Sequence, residues 1–161
     1  MANEQFKASA QAAYGTLCAA MDQQGWHYQK HEENLAITCS VKGEDLSMDV
    51  MVSIDTERQF VMVLSRLPFI TQENKRLDMG VAVSLVNEKL VAGSFDCHMD
   101  KGEVYFRMTS SIFDMEPSSE VFLCMVNSSC MIIDAYNDKL MMLGKGMVSV
   151  QQFAQSINGQ N

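Results

Sequence analysis

The chain has 161 residues, 47% of them hydrophobic and 20% charged, and a net charge of −8 from 12 Lys and Arg against 20 Asp and Glu. That length suits one domain over residues 1–161, able to bury roughly 68–70% of its unfolded surface. Lys75-Arg76 is the one adjacent basic pair, so neither nucleic acid nor an anionic membrane is an expected partner, since both are bound by clustered basic residues.

No apolar run approaches the ~20 residues of a membrane helix. The start, "MANEQFKASAQAAYG", lacks a basic segment followed by an apolar one, so a cytoplasmic protein is expected. Cys18, Cys39, Cys97, Cys124 and Cys130 are odd in number and form no C-x-x-C. They read as reduced thiols packed as small hydrophobes. The 14 methionines read first as core filler, although methionine also lines adaptable binding surfaces.

In chain order, Phe6, Ala10, Ala13, Tyr14, Leu17 and Met21 recur at helical spacing. Asn3 is the expected N-cap and Gly25 the stop. From Trp26 the period becomes two: Trp26, Tyr28 and Lys30 alternate with His27, Gln29 and His31. Leu35, Ile37, Cys39 and Val41 make one face of a second strand, and "KGED" a turn with glycine free to take a positive φ. Leu46, Met48, Val50, Val52 and Ile54 oppose Ser47, Asp49, Met51, Ser53 and Asp55 along a regular third strand. "QFVMVLSRL" is apolar on both faces, which predicts a strand that is either central or covered on both sides, ended by Pro68.

A second helix is predicted from about Thr71 to Leu90, closed by Gly93. "SFDCHM" and "EVYFRMTSSI" flank "DKG", a hairpin with Gly102 in the left-handed position. "DMEPSS" leads to a long helix carrying Phe122, Met125, Val126, Ser129, Ile132, Ile133, Tyr136, Leu140 and Leu143, which "GKG" breaks. Ser149 and Gln152 form a capping box ahead of Val150, Phe153, Ala154 and Ile157. The order α-ββββ-α-ββ-αα predicts an α+β domain on an antiparallel sheet of about six strands.

Groups able to do chemistry are few. Cys97 and His98 are neighbours on a strand and point to opposite faces, so they cannot share one metal. Phe95, Cys97 and Met99 belong to the core face; Ser94, Asp96 and His98 belong to solvent. His27 and His31 are four apart, which on a strand separates them by roughly 13 Å. A zinc ion with bonds of about 2 Å does not bridge that gap. "G-x-S-x-G" and a phosphate-binding glycine loop are absent, and "GKG" has too few glycines at the wrong spacing. Asp49 and Asp55 read as solvated charge. No catalytic residue, cofactor or metal ligand is expected.

Several landmarks resemble those of the type III secretion chaperone-like fold and, within it, the bacterial YbjN family, labelled sensory transduction regulators. They are "RLP" at Arg66 to Pro68, "NKRL" at Asn74 to Leu77, "LVNEKLVAGSFDCHMDKGEVYFR" at Leu85 to Arg107, and "LMMLGKGMVSVQQFAQSI" at Leu140 to Ile157. In the third, Asn87, Gly93, Phe95, Asp96, Gly102, Val104 and Phe106 follow the family pattern. The resemblance spans nearly the whole chain and implies a non-enzymatic, protein-binding, dimeric domain.

Two functions therefore stand as expectations. One is a chaperone-like or regulatory adaptor that binds a protein or peptide client as a homodimer. The other is a small-ligand sensing domain with a methionine-lined pocket. On the second helix, Met79, Ala82, Val83, Val86 and Leu90 make one apolar stripe, and Leu77, Val81 and Leu85 a second. A surface helix needs only one. Either another helix of the chain or the same stripe of a second copy covers Leu77, Val81 and Leu85, and the family resemblance favours the copy.

Overall fold

The protein is described here by a computed structural model, which covers residues 4–112 and 117–159. Its elements run α1 (Glu4–Gln23), β1 (Gln29–His31), β2 (Ala36–Lys42), β3 (Ser47–Asp55), β4 (Phe60–Ile70), α2 (Arg76–Asn87), β5 (Ser94–His98), β6 (Glu103–Ser111), α3 (Ser119–Gly144) and α4 (Val150–Asn158). Single 3-10 turns at Glu32–Asn34 and Glu73–Lys75 join them. The six strands form one antiparallel sheet in the order β1-β2-β3-β4-β6-β5. The α+β order expected from the sequence is the one observed. Asn3 and the first half of the "DMEPSS" loop, residues 114–116, lie outside the described residues.

Strand alternation sorts the sheet into two unlike faces. Ile37, Val52, Val63 and Met108 stand in register across β2, β3, β4 and β6, and all are buried. Cys39, Val50, Ser65, Phe106 and Phe95 make the next row. A continuous core cluster joins these rows to residues of all four helices. The opposite face carries Thr38, Met51, Leu64 and Arg107 in register. Of the two predicted placements, β4 takes the central one, and its open face is partly exposed: Met62 and Leu64 are half-buried, and Phe60 and Ile70 exposed. Pro68 does not end it. The strand continues to Ile70, and its ladder with β6 shifts register between Arg66 and Ile70, the local irregularity at which a strand proline is tolerated.

The segment Trp26–Tyr28 is not strand. The Trp26 N–H donates to the Met21 carbonyl at 3.0 Å, in the pattern that closes a helix beyond a left-handed glycine, here Gly25. The Tyr28 hydroxyl lies 2.8 Å from Asp22 Oδ1 and 3.1 Å from the Cys18 carbonyl. Burial first, then Asp22 and the Cys18 thiol, push its pKa up, so it stays a donor. The end of α1 thus holds Trp26 to Tyr28 away from β2. Leu35, expected in strand, instead takes φ 46° after the 3-10 turn.

Gly43 has no positive φ; its requirement is space, because a β-carbon there would collide with the Asp134 carboxylate and the Leu46 carbonyl. Gly102 does adopt φ 72°, and its N–H donates to the His98 carbonyl at 2.7 Å. The hairpin loop is one residue longer than expected and takes in Met99, which is 42% exposed rather than in the core.

α2 ends at Asn87, before Gly93, and its last side chain finishes the sheet edge. Asn87 Nδ2 donates to the Phe95 carbonyl at 2.9 Å, and the Phe95 N–H donates to Asn87 Oδ1 at 2.8 Å. One carboxamide thereby replaces a neighbouring strand for that residue. On α3, Phe122, Met125, Val126, Ser129, Ile133, Leu140 and Leu143 are buried as expected, and so is Asn137, next to the half-buried Tyr136. Ser149 and Gln152 make the reciprocal capping box. Asn87→Ala removes two hydrogen bonds and should lower stability by about 2 kcal/mol in urea titration. Asn87→Asp should not rescue it, because a carboxylate would then face the Phe95 carbonyl. Unchanged midpoints for both variants would refute the edge-capping role.

Candidate interaction site

The residues weighed for chemistry stay apart. Cys97 is half-buried on the core side, where burial pushes its thiol pKa up against the opposing influence of Arg76. His98 is exposed on the other side, edge-on to Tyr105 at 6.2 Å. His31 Nε2 lies 3.0 Å from Thr38 Oγ1, while His27 is exposed on the irregular segment. Among the described residues no three His, Cys, Asp or Glu groups are placed to hold a metal, and no helix is long and apolar enough to cross a membrane.

α2 presents two faces, as its sequence predicts. Met79, Ala82, Val83 and Val86 are buried against the protein. Leu77 is 78% exposed and Val81 51% exposed, so no other helix among the described residues covers them. Leu85, the third member of that stripe, turns partly inward and packs against the core. Met99 takes a neighbouring place: its Sδ lies 3.9 Å from where a Gly80 β-carbon would sit. Periodicity located the stripe, whereas Met99 was missed because the alternation of β5 was carried one residue past its end.

A second feature lies on the open sheet face. A groove of about 860 Å³ is bounded by Tyr28, Ser40, Asp49, Met51, Leu64 and Arg66, among others. Asp49 Oδ1 accepts from the Ser40 hydroxyl at 2.5 Å. Arg66 lies across from Asp49 in the ladder, yet its Nη1 donates to Glu103 Oε1 at 2.9 Å. The Tyr105 hydroxyl donates to the other Glu103 oxygen. These two donors, Tyr105 foremost, hold the Glu103 carboxyl below its ordinary range. Met51 is the methionine on the groove; Met21, Met48, Met79, Met108 and Met125 are buried in the core. Alternation identified this polar face, whereas His27 and Tyr28 reach the groove from the irregular segment, which no periodicity shows.

No protein-family model and no curated protein matches the chain in sequence. Its structure is similar to the crystal structure of YbjN from E. coli, a candidate transcription regulator, with a TM-score of 0.57 and 13% identity. The match covers 78% of this chain and 91% of that one. At that identity the two share a fold.

All five cysteines are free thiols, Cys124 exposed and Cys18 and Cys39 buried. The Cys130 pKa is pushed up to about 11 by burial first, then by Cys39 and Asp134. A pKa raised on folding stabilises the protein below the thiol's usual 9.0 and loses that contribution as pH climbs through about 11. Iodoacetamide at neutral pH should therefore modify Cys124 first and Cys130 only after denaturation, with stability falling above the usual thiol pKa. Rapid native labelling of Cys130 would contradict this.

Proposed function

We propose that the protein is a non-enzymatic protein-binding module, a chaperone-like or regulatory adaptor, that acts as a homodimer on a protein or peptide client in the cytoplasm. The observation that carries this reading is the exposure of Leu77 and Val81 on a helix whose other face is already buried. Burying a Leu or Val side chain yields about 1.5–3 kcal/mol, and a symmetric pairing of α2 doubles each contribution. The fold shared with a candidate transcription regulator is in keeping with an adaptor role. A net charge of −8 argues for a protein partner rather than direct contact with nucleic acid or anionic membrane. The alternative, a small-ligand sensor with a methionine-lined pocket, has less support, because the groove draws on Met51 while other methionines fill the core.

Val81→Arg places a charge in the middle of the stripe, where burial without a partner is costly. Light scattering should show a dimer for the wild type and a monomer for Val81→Arg, with circular dichroism unchanged. A monomeric wild type, or a folded Val81→Arg dimer of undiminished affinity, would overturn the assignment.

A further inference from the structure

The sheet has two edges, finished in different ways. At β5 the outward N–H and C=O of Phe95 are both taken by Asn87. At the other edge β1 pairs only with Ala36–Thr38, whereas β2 runs on to Lys42. The ladder shows which groups this leaves. The Ile54 N–H donates to the Leu35 carbonyl at 3.1 Å, so odd-numbered residues of β2 bond toward β3 and even-numbered ones point outward. Thr38 meets Gln29 of β1. Among the described residues, no strand pairs with the outer side of Ser40 and Lys42, which meet only β3.

Extending the β1 register would set His27 opposite Ser40. That stretch is instead held by α1, through the Trp26 N–H and the Tyr28 hydroxyl. The vacancy opens onto the groove, with His27 and Tyr28 on one side and Ser40, Ser47 and Asp49 on the other. Asp49 is exposed, and among the described residues no basic side chain lies within ion-pair distance of it, since Arg66 is turned to Glu103.

The geometry points to strand addition at this edge: an extended segment of a partner protein pairs with Ser40 and Lys42 along the vacant side of β2, carrying a Lys or Arg opposite Ser40. Unpaired, alternating N–H and C=O groups are complementary to a strand rather than to a helix or a folded surface. Strands lie about 4.8 Å apart, so a long cationic side chain can reach across the short Ser40 to Asp49. A second copy of β2 fits less well. With its Lys42 opposite Ser40, its Glu44 would fall at the position across from Thr38 that Gln29 already occupies. A flexible segment can end or bend away there. The inference rests on the protein-binding reading and names the site and kind of client.

The test pans a random-peptide display library against the full chain, and the tightest binder is synthesised. Binding should slow amide exchange at Ser40 and Lys42, and N-methylation of the peptide on the paired side should weaken it at least about tenfold. Selected sequences should carry Lys or Arg, and Asp49→Asn should reduce both affinity and its salt dependence. A binder that protects α2 or another surface instead would overturn this site and leave the protein-binding reading intact. Recovery of no peptide that binds at micromolar concentration would overturn both. Protection of Ser40 and Lys42 that rises with protein concentration alone would assign the edge to a second copy and overturn the inference.

Discussion

All four helices cover one face of a six-stranded sheet, and the rest of the structure follows from that one-sidedness. With alternation fixed by the pleat, a register slip by one residue would move Ile37, Val52 and Val63 from the core to solvent. The uncovered face must then be tolerable to water while surrounding apolar side chains at its centre. It manages this with cross-strand pairs: Arg107 with Asp96 and Arg66 with Glu103, each at 2.9 Å, flank the half-buried Leu64 and Tyr105. Exposed ion pairs contribute about 0–1 kcal/mol each. Their larger effect is to orient long side chains, and by drawing Arg66 toward Glu103 they leave Asp49 facing the groove with the Ser40 hydroxyl as its partner among the described residues.

The placement of α2 rests on the β5–β6 hairpin at both ends. At its start, Arg76 Nη1 donates to the carbonyls of Met99 and Asp100 at 3.2 and 2.7 Å. At its end, Asn87 takes the backbone of Phe95. The hairpin loop is itself tied to the chain entering α2, for the Thr71 N–H donates to the Gly102 carbonyl at 2.8 Å, and a β-carbon at Gly102 would strike the Thr71 carbonyl. Twelve residues of helix are thus clamped at either end, and a clamped helix loses little further conformational entropy when another surface meets it. Leu77 and Val81 sit on a prepared face.

Where a local pattern has one physical solution, the sequence shows it: the alternation from Leu46 to Asp55, the Ser149–Gln152 capping box, and the left-handed Gly102 all stand as their residues require. Errors arise where a distant group decides. The period-two pattern of residues 26–31 is overruled by bonds to α1, so only Gln29–His31 pair. Gly43 answers to Asp134, ninety-one positions on, and not to its own φ. The apolar look of both faces of β4 left central placement and double coverage open; the strand is central, with Met62 and Leu64 half-buried on its open face. The outward stripe of α2 was legible because helical spacing is local, though the inward turn of Leu85 was not. The β2 vacancy was illegible, since it is defined by a segment that leaves rather than by residues that are present. Asn137 lies wholly buried with its Nδ2 unpartnered among the described residues, and no pattern in the sequence marks it.

The two surfaces lie at opposite ends of the sheet. α2 packs beside β5, the last strand in spatial order, whereas the vacancy is on β2, four strand positions away. At about 4.8 Å per strand that separation is roughly 19 Å, so the two surfaces are distinct. A dimer joined through α2 would carry two such edges. A client with two extended segments joined by a linker of suitable span would then bind its second site intramolecularly, at an effective concentration set by the linker. Weak pairing at a short edge suffices in that arrangement. This separation makes a binding edge with outward groups on only two residues, Ser40 and Lys42, compatible with an adaptor that holds its client in the dimeric state.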